Sequence, residues 1–201
     1  MDFSLTNEQK MIIDTLKTFV EQELYPHEME VEKTNQIRPE LAAQIKQKAL
    51  DLGLYAANMP EEHGGAGLDT LTLCLMEREL GRANFGLQYI VARPSNILLA
   101  CKGDQIENYL LASIRGDKVD CLAMTEPNAG SDVRSMQCRA ERDGDGFVIN
   151  GTKHFISHAD AADFVILFAA SGVEQTSRGP KKKITSFLID KGTPGFTVES
   201  G

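Results

Sequence analysis

The sequence is short of basic residues and of long apolar runs, and both shortages exclude classes of function. Lysine and arginine total 21 of 201 residues against 29 aspartates and glutamates, so the net charge is −8. Binding to nucleic acid or to an anionic membrane needs a basic face, which this balance disfavours. No apolar run approaches the length of a membrane span. The first ten residues, MDFSLTNEQK, do not resemble a targeting segment. We therefore expect a cytoplasmic protein without nucleic-acid or membrane partners.

Cysteine is also scarce, and its spacing excludes a disulfide framework or a zinc site. The four cysteines are far apart and none forms a C-x-x-C pair. His154 and His158 would lie about 13 Å apart on a strand, too far to share a metal ion. The glycines of GDGFVING, residues 144–151, have the wrong spacing for a dinucleotide-binding loop. We expect no metal site, and reduced, mostly buried thiols at Cys74, Cys101, Cys121 and Cys138.

Residues 1–117 have the hydrophobic period of helices, about 3.6 residues. Capping residues, prolines and glycines mark where each helix begins and ends. The predicted helices run from a Thr6–Gln9 capping box to Pro26, from Pro39 to Gly53, over Thr70–Leu80 with Gly81 as its stop, over 84–102 with Pro94 kinking or splitting it, and from a cap at Asp104 to Gly116.

After Asp117 the hydrophobic period changes to two, which is typical of strands. The predicted strands are Val119–Thr125, Ser135–Arg142, Phe147–Ser157, Phe164–Ala170, Ile184–Asp190 and a short Phe196–Glu199, with a hairpin turn at Asp143–Gly146 and another turn at Arg178–Pro180. Helices followed by strands predict an α+β fold. We expect an all-helical domain, residues 1–117, and an antiparallel β domain of sandwich or barrel type, residues 118–201. Because the sequence stops just after a short strand, we expect this β domain to be incomplete.

One stretch, LAMTEPNAGSDV at residues 122–133, joins the end of an apolar strand to a turn of small polar residues. Thr125 places a hydroxyl at the strand end. Gly130 lets the backbone approach a ligand closely, and Ser131 and the turn's N–H groups are donors. The interpretation favoured for Glu126 is that it fixes the turn.

A second stretch, NGTKHFIS at residues 150–157, carries an aromatic ring and a hydroxyl. If it is a strand, Lys153, Phe155 and Ser157 share one face. Neutral donors beside an aromatic surface suit a flat heterocycle with polar edges. A purely structural interpretation remains open, in which Met124 and Ile156 belong to the core.

The stretch Ala123–Asp132, followed by Ser135, resembles the first signature of the acyl-CoA dehydrogenase flavoprotein family. Four more stretches resemble family motifs in the family's order, so the resemblance covers essentially the whole chain: PEEHGGAGLD (Pro60–Asp69), MERELGR (Met76–Arg82), NGTKHFIS (Asn150–Ser157) and FLIDKGTPGF (Phe187–Phe196). It implies an N-terminal helical domain and a middle β domain. In the family a C-terminal four-helix domain follows, and this sequence lacks it.

The resemblance implies FAD as the cofactor. Met124 and Thr125 would meet the pyrimidine edge of the flavin near N1 and O2, Ser157 would lie near N5 and O4, and Phe155 would lie against the ring system. Ser131 matches the serine beside the flavin diphosphate and the CoA arm, so it is also the implied substrate contact. The implied cofactor-binding residues are Leu122, Met124, Thr125, Gly130, Ser131, Phe155, Ile156 and Ser157. Three positions depart from the common pattern: Leu122 replaces an aromatic residue, Phe155 a tryptophan and His158 an asparagine.

The implied reaction is α,β-dehydrogenation of an acyl-CoA thioester, with a hydride passing from the β-carbon to flavin N5. The base is a glutamate of the family's C-terminal domain, so we assign no catalytic residue here and expect the 201 residues alone to be inactive. The alternative is a non-catalytic flavin- or acyl-CoA-binding subunit of a heteromeric dehydrogenase. The implied partners are acyl-CoA, a homodimeric or homotetrameric assembly, and an electron-transfer flavoprotein.

A basic cluster, Arg178 with Lys181, Lys182 and Lys183, stands out in this acidic chain. The favoured interpretation is a solvated hairpin. The sharper hypothesis is that the cluster approaches the 3′-phosphate of CoA.

Overall fold

The computed structural model describes residues 4–91, 94–177 and 179–199. The chain divides into two compact units, with the boundary between Asp117 and Lys118. The first unit is helical and the second is built around one sheet. This arrangement confirms the α+β class that the change of hydrophobic period predicted.

Over the residues that the structure describes, the helical unit contains six α-helices and several shorter helical turns. The α-helices are α1 (Asn7–Phe19), α2 (Glu28–Thr34), α3 (Pro39–Asp51), α4 (Thr70–Leu80), α5 (Phe85–Ile90) and α6 (Ala112–Ile114). Two stretches are π-helical, Val20–Leu24 and Ile106–Leu111, and three are 3-10 turns, Tyr25–His27, Glu61–His63 and Asn96–Ala100.

The capping box at the start of α1 is present as predicted. The Thr6 hydroxyl accepts from the Gln9 backbone N–H at 3.1 Å, and the Gln9 side-chain oxygen accepts from the Thr6 N–H at 3.1 Å. Gln9 also donates to the Thr72 hydroxyl of α4 at 3.2 Å. Helix α4 has the predicted bounds because Asp69 caps its first turn and Gly81 follows its last residue.

Two predicted helix boundaries, at Pro26 and at Asp104, are wrong. Pro26 does not end the first helix, because it lies in the first turn of a 3-10 segment, where its missing N–H breaks no bond. The helix predicted over 84–102 is split into α5 and the turn Asn96–Ala100, which is one of the two outcomes predicted for Pro94. Pro94 accounts for the break, since it cannot donate to a helical carbonyl; Ala92 and Arg93 lie outside the described residues. Asp104 is itself helical and does not precede the helix as a cap.

In the described part of the second unit, five strands form one sheet: β1 (Asp120–Ala123), β2 (Arg139–Asp143), β3 (Gly146–Asn150), β4 (Phe164–Thr176) and β5 (Gly179–Asp190). The central strand β4 pairs in parallel with β1 and, through one residue pair, with β2. It pairs antiparallel with β5 over almost its whole length. The sheet is therefore mixed, and the purely antiparallel arrangement expected from the sequence is wrong. Among the described strands, the antiparallel pairs are β2 with β3 and β4 with β5, which are neighbours in sequence.

Strand bounds differ most where tertiary contacts decide them. Strand β2 begins later than predicted because a 3-10 turn, Val133–Ser135, precedes it. Strand β3 ends at Asn150, seven residues before the predicted end at Ser157. The region 196–199 is not a strand. Gly179 and Pro180 belong to β5, while Arg178 lies outside the described residues. The hairpin at Asp143–Gly146 is confirmed, because these two residues are the last pair of β2 and β3.

One hydrophobic cluster of the second unit is made largely of small residues. Its buried members are Cys121, Ala123, Cys138, Ala140, Ala162, Val165, Leu167 and Ala169. Burial raises the pKa of the Cys121 thiol to about 11, so this thiol stays protonated at neutral pH. The four cysteines are free thiols. The expectation of mostly buried thiols holds for Cys121 and Cys138 but is wrong for Cys74, which is exposed on α4.

Within the described ranges, no helix is long and apolar enough to cross a membrane. Across the same residues, no group of three or more His, Cys, Asp or Glu side chains is arranged to hold a metal ion.

Candidate functional site

Directly after β1 the chain makes a tight turn that is closed by its own backbone. The N–H of Glu126 donates to the Ala129 carbonyl at 2.9 Å, and the N–H of Ala129 donates back at 3.2 Å. Pro127 and Asn128, at the tip, are exposed, whereas Ala129 is buried. The turn follows the end of β1, which stops at Ala123, two residues before the predicted end at Thr125.

The Glu126 carboxylate organises the residues around this turn. It accepts hydrogen bonds from the backbone N–H groups of Gln137 at 2.6 Å and Cys138 at 3.0 Å. These N–H groups belong to the chain entering β2, so Glu126 ties the end of β1 to the start of β2. The interpretation that Glu126 fixes the turn is confirmed.

Lys153 completes this buried cluster. Its ammonium donates to the Glu126 carboxylate at 2.8 Å and to the Met124 carbonyl at 2.9 Å. The two side chains are only 7% and 5% exposed. The sequence reasoning missed this ion pair, although a carboxylate at the end of a buried strand signals the need for a cation nearby.

The ion pair keeps Glu126 ionised. Burial by itself raises the pKa of a carboxyl group, but the hydrogen bond from Lys153 and those from the Gln137 and Cys138 N–H groups outweigh it. The pKa of Glu126 therefore lies below its ordinary value. A carboxylate held by three donors is poorly placed to abstract a proton, so Glu126 is not a candidate base.

The segment after β3 runs beside the end of β1 and presents an aromatic ring. The N–H of His154 donates to the Thr125 carbonyl at 2.9 Å. Phe155 then takes a left-handed backbone conformation, with φ of 58°, and its side chain is 83% exposed. The His154 ring stacks on the Phe155 ring, with centroids 3.8 Å apart. Ile156, next in sequence, packs against the core of the sheet.

The predicted strand over Lys153, Phe155 and Ser157, with all three side chains on one face, is wrong. Lys153 points into the buried cluster, whereas Phe155 is exposed. The alternation fails because β3 ends at Asn150 and the left-handed turn at Phe155 breaks the period of two.

The structure brings together four of the eight predicted cofactor-binding residues. Met124 and Thr125 are held against the segment carrying Phe155 and Ile156 by the contacts of Lys153 and His154. The other four are only partly covered or exposed: Leu122 is 43% exposed on β1, and Gly130, Ser131 and Ser157 are exposed in loops.

A cavity of about 330 Å³ lies beside the Glu126–Lys153 ion pair, between the turn after β1, the start of β2 and the end of β3. None of the eight predicted cofactor-binding residues lines it. The lining residues are Glu126, Pro127, Asn128, Gln137, Cys138, Arg139, Asn150, Gly151 and Thr152. Gly151 packs so closely on Cys138 that a Cβ atom at Gly151 would lie 2.6 Å from the Cα of Cys138.

The three lysines of the basic cluster do not form one patch. They lie consecutively in β5, so Lys181 and Lys183 lie on one face of the strand and Lys182 on the other. The Lys182 ammonium donates to the Met136 carbonyl at 2.6 Å. The fourth member, Arg178, lies outside the described residues.

Comparisons with known proteins place the chain in a family. Residues 6–117 match the model of the N-terminal domain of acyl-CoA dehydrogenases, and residues 121–200 match the model of their middle domain. The chain is 36% identical over 203 aligned residues to benzylmalonyl-CoA dehydrogenase of Aromatoleum aromaticum, covering 98% of this chain and 51% of the relative.

Solved structures agree. An acyl-CoA dehydrogenase of Bacillus anthracis complexed with FAD is 26% identical with a TM-score of 0.79, covering 98% of this chain and 33% of that one. A chain from a structure of the electron transferring flavoprotein of Acidaminococcus fermentans is 31% identical with a TM-score of 0.81, covering 100% of this chain and 52% of that one.

The chain spans about half the length of the curated relatives that it matches. The two family models nevertheless cover almost all of its residues, in the order that the helical and β units follow. These matches confirm the resemblance carried by the sequence motifs, and the chain belongs to the acyl-CoA dehydrogenase family.

Proposed function

We propose that this chain supplies the flavin-holding part of an FAD-dependent acyl-CoA dehydrogenase. One observation carries the proposal: the end of β1 and the Phe155 segment are clamped together by Lys153 and by the bond from His154 to Thr125. This clamp puts an exposed aromatic ring next to a strand end with a hydroxyl. The helical unit and the sheet unit would then be two domains, residues 1–117 and 118–201.

The residues present fit a flavin. The Phe155 ring is open to a ligand over most of its surface and is backed by the His154 ring. A flat, apolar face of this kind suits stacking on a flat heterocycle. The hydroxyls of Thr125, Ser131 and Ser157 and the N–H groups of the turn are neutral donors, which suit the polar edges and the diphosphate of FAD.

The contacts of the clamp refine the part that each residue plays. Because Lys153 occupies the Met124 carbonyl, Met124 contributes its N–H and side chain to the pyrimidine edge. His154 occupies the Thr125 carbonyl, so Thr125 contributes its hydroxyl. Ser131 serves the diphosphate and the CoA arm of the substrate.

The remaining proposed contacts are spread over β1, the turn and the Phe155 segment. Leu122 lines the flavin side of β1, Gly130 permits close approach, and Ser157 lies near N5 and O4. Phe155 and Ile156 hold the ring system in place.

The chemistry that bound FAD supplies in this family is acceptance of a hydride from the substrate's β-carbon. The chain's own contribution is to bind and orient the flavin and to donate hydrogen bonds to its edges. The α-proton goes to no residue assigned here, because Glu126 is held in the ion pair with Lys153. We infer that the 201 residues alone bind FAD without oxidising acyl-CoA. The substrate, a dimeric or tetrameric assembly and an electron-transfer flavoprotein belong to the whole enzyme.

The proposal is tested by titrating FAD into the purified chain and measuring quenching of flavin fluorescence. Phe155→Ala removes the stacking face and should weaken FAD binding about tenfold or more, since stacking on an aromatic side chain contributes about 1–3 kcal/mol. The matched control is Phe147→Ala, which removes a partly exposed ring from β3. Saturable binding that Phe155→Ala weakens and Phe147→Ala leaves unchanged is expected; no binding by the wild-type chain contradicts the proposal.

The expected inactivity has a separate readout. FAD-loaded chain mixed anaerobically with acyl-CoA thioesters should keep its flavin absorbance. Bleaching of that absorbance would show that the 201 residues hold a working base and would overturn the inference.

A further inference from the structure

Lys153 links the end of β1 to the segment bearing the exposed ring through its buried ammonium. Its ammonium reaches the Met124 carbonyl and the Glu126 carboxylate, and its backbone leads within two residues to Phe155. The contribution of the ion pair to stability does not by itself explain why the Lys153 ammonium is buried. Replacing a buried ion pair by apolar side chains of similar volume is often neutral or stabilising.

The backbone at Phe155 supplies that reason. A non-glycine residue with a positive φ persists when its surroundings over-determine it. Here the restraints lie on both sides: Lys153 and the N–H of His154 are bound to the end of β1, and Ile156 is packed on the sheet core. Phe155 is 83% exposed, and its ring packs on the ring of His154, whose own backbone N–H is bound to the end of β1.

We propose that Lys153 is a positioning residue that holds the Phe155 ring in its exposed orientation through the ion pair with Glu126 and the bond to Met124. Resting on the proposed function, this makes the pair a device that orders the flavin-stacking face before FAD binds. Preordering lowers the conformational cost of binding, so the pair acts on cofactor affinity without touching the cofactor.

The chain has no tryptophan and four tyrosines, so Phe155→Trp creates a protein with a single tryptophan, which can be excited selectively at wavelengths where tyrosine does not absorb. Time-resolved anisotropy of this reporter measures ring mobility without FAD. Adding Lys153→Met removes both contacts of the ammonium while keeping a side chain of similar length. A second reporter, Phe147→Trp on β3, is the matched control for general loosening of the sheet.

The expected result is a large increase in the nanosecond motion of the Phe155→Trp reporter on adding Lys153→Met, with little change at Phe147→Trp. FAD affinity should fall about tenfold in the same variant, measured by flavin fluorescence. An unchanged Phe155→Trp anisotropy, or an unchanged FAD affinity beside a mobile reporter, overturns the proposal.

If Lys153→Met does not fold, Lys153→Arg decides. The planar guanidinium does not reproduce the compact ammonium between its two acceptors. A more mobile Phe155→Trp reporter and weaker FAD binding are then expected together, and no change in either overturns the proposal. If the wild-type chain binds no FAD, the proposed function fails. The anisotropy of the Phe155→Trp reporter, measured without FAD, still tests the positioning role of Lys153.

Discussion

Gly151 decides where β3 ends, and it does so through one close contact. An added Cβ atom would lie 2.6 Å from both the Cα and the Cβ of Cys138. The chain must therefore approach Cys138 with backbone alone before it turns toward Lys153. A glycine in a strand pattern indicates a close approach of this kind, but the sequence does not say which residue is approached.

At this position we expect Gly151→Ala to destabilise the protein by about 1–3 kcal/mol, the usual cost of overpacking. Urea unfolding followed by circular dichroism measures the change. Gly130→Ala is the control, because a Cβ there meets nothing within 4 Å and its φ is not left-handed. Equal midpoints for Gly151→Ala and the wild type would contradict the close packing.

Glu126 makes stability depend on pH. Since its folded-state pKa lies below the ordinary value of 4.5, the ionised form stabilises the fold. That contribution is fully present above about pH 4.5 and is lost as the pH falls through the folded-state pKa.

We expect Glu126→Gln to lower the free energy of unfolding at pH 7 by about 3–5 kcal/mol, because it leaves Lys153 buried without its counter-ion. The variant should also lose less stability than the wild type as the pH falls below about 4.5. Unfolding titrations from pH 7 to pH 3 test both points. Glu141→Gln, in an exposed pair with Arg139, is the control. Parallel pH curves for the wild type and Glu126→Gln would contradict the account.

Single residues of the site were predicted from the sequence only in part. Its motifs identified Glu126 as a turn-fixing residue, because a carboxylate after a strand and before a proline has that role. They did not predict the left-handed conformation of Phe155 or the pairing of Glu126 with Lys153. Both depend on contacts between segments 27 residues apart, which local patterns do not encode.

At the scale of elements, helices were predicted well where their ends carry their own signals. Helix α4 lies between the Asp69 cap and Gly81, and α3 begins at Pro39. Strands were predicted less well, because neighbouring strands and loops set their ends. The region 151–157 has a strand-like pattern, but the contacts of Gly151 and Lys153 draw it away from the sheet.

The capping box of α1 gives an element-scale prediction. Thr6→Ala removes one acceptor from the first turn and should lower the free energy of unfolding by about 0.5–2 kcal/mol. Thr18→Ala is the matched control, since the Thr18 hydroxyl only bonds back to the Asp14 carbonyl on an exposed part of the same helix. Thermal unfolding of both variants measures the difference. An equal loss of unfolding free energy in Thr18→Ala and Thr6→Ala would contradict the capping role of Thr6.

At the scale of the whole molecule, the order of helices and strands predicted the α+β class but not the mixed sheet. Strands β1 and β4 are parallel neighbours in the sheet, although the β2–β3 hairpin separates them in sequence. This topology puts the loops after β1 and β3 beside each other, which is how the proposed flavin contacts come together. The family match then gives this loop cluster a function that the fold alone does not specify.

The most direct test of the central claim is amide hydrogen exchange of the chain with and without FAD. The account predicts slower exchange in peptides that cover residues 122–131 and 153–157, with no change at the β2–β3 hairpin tip, residues 143–146. Protection confined to other parts of the chain, or no protection at saturating FAD, would contradict it.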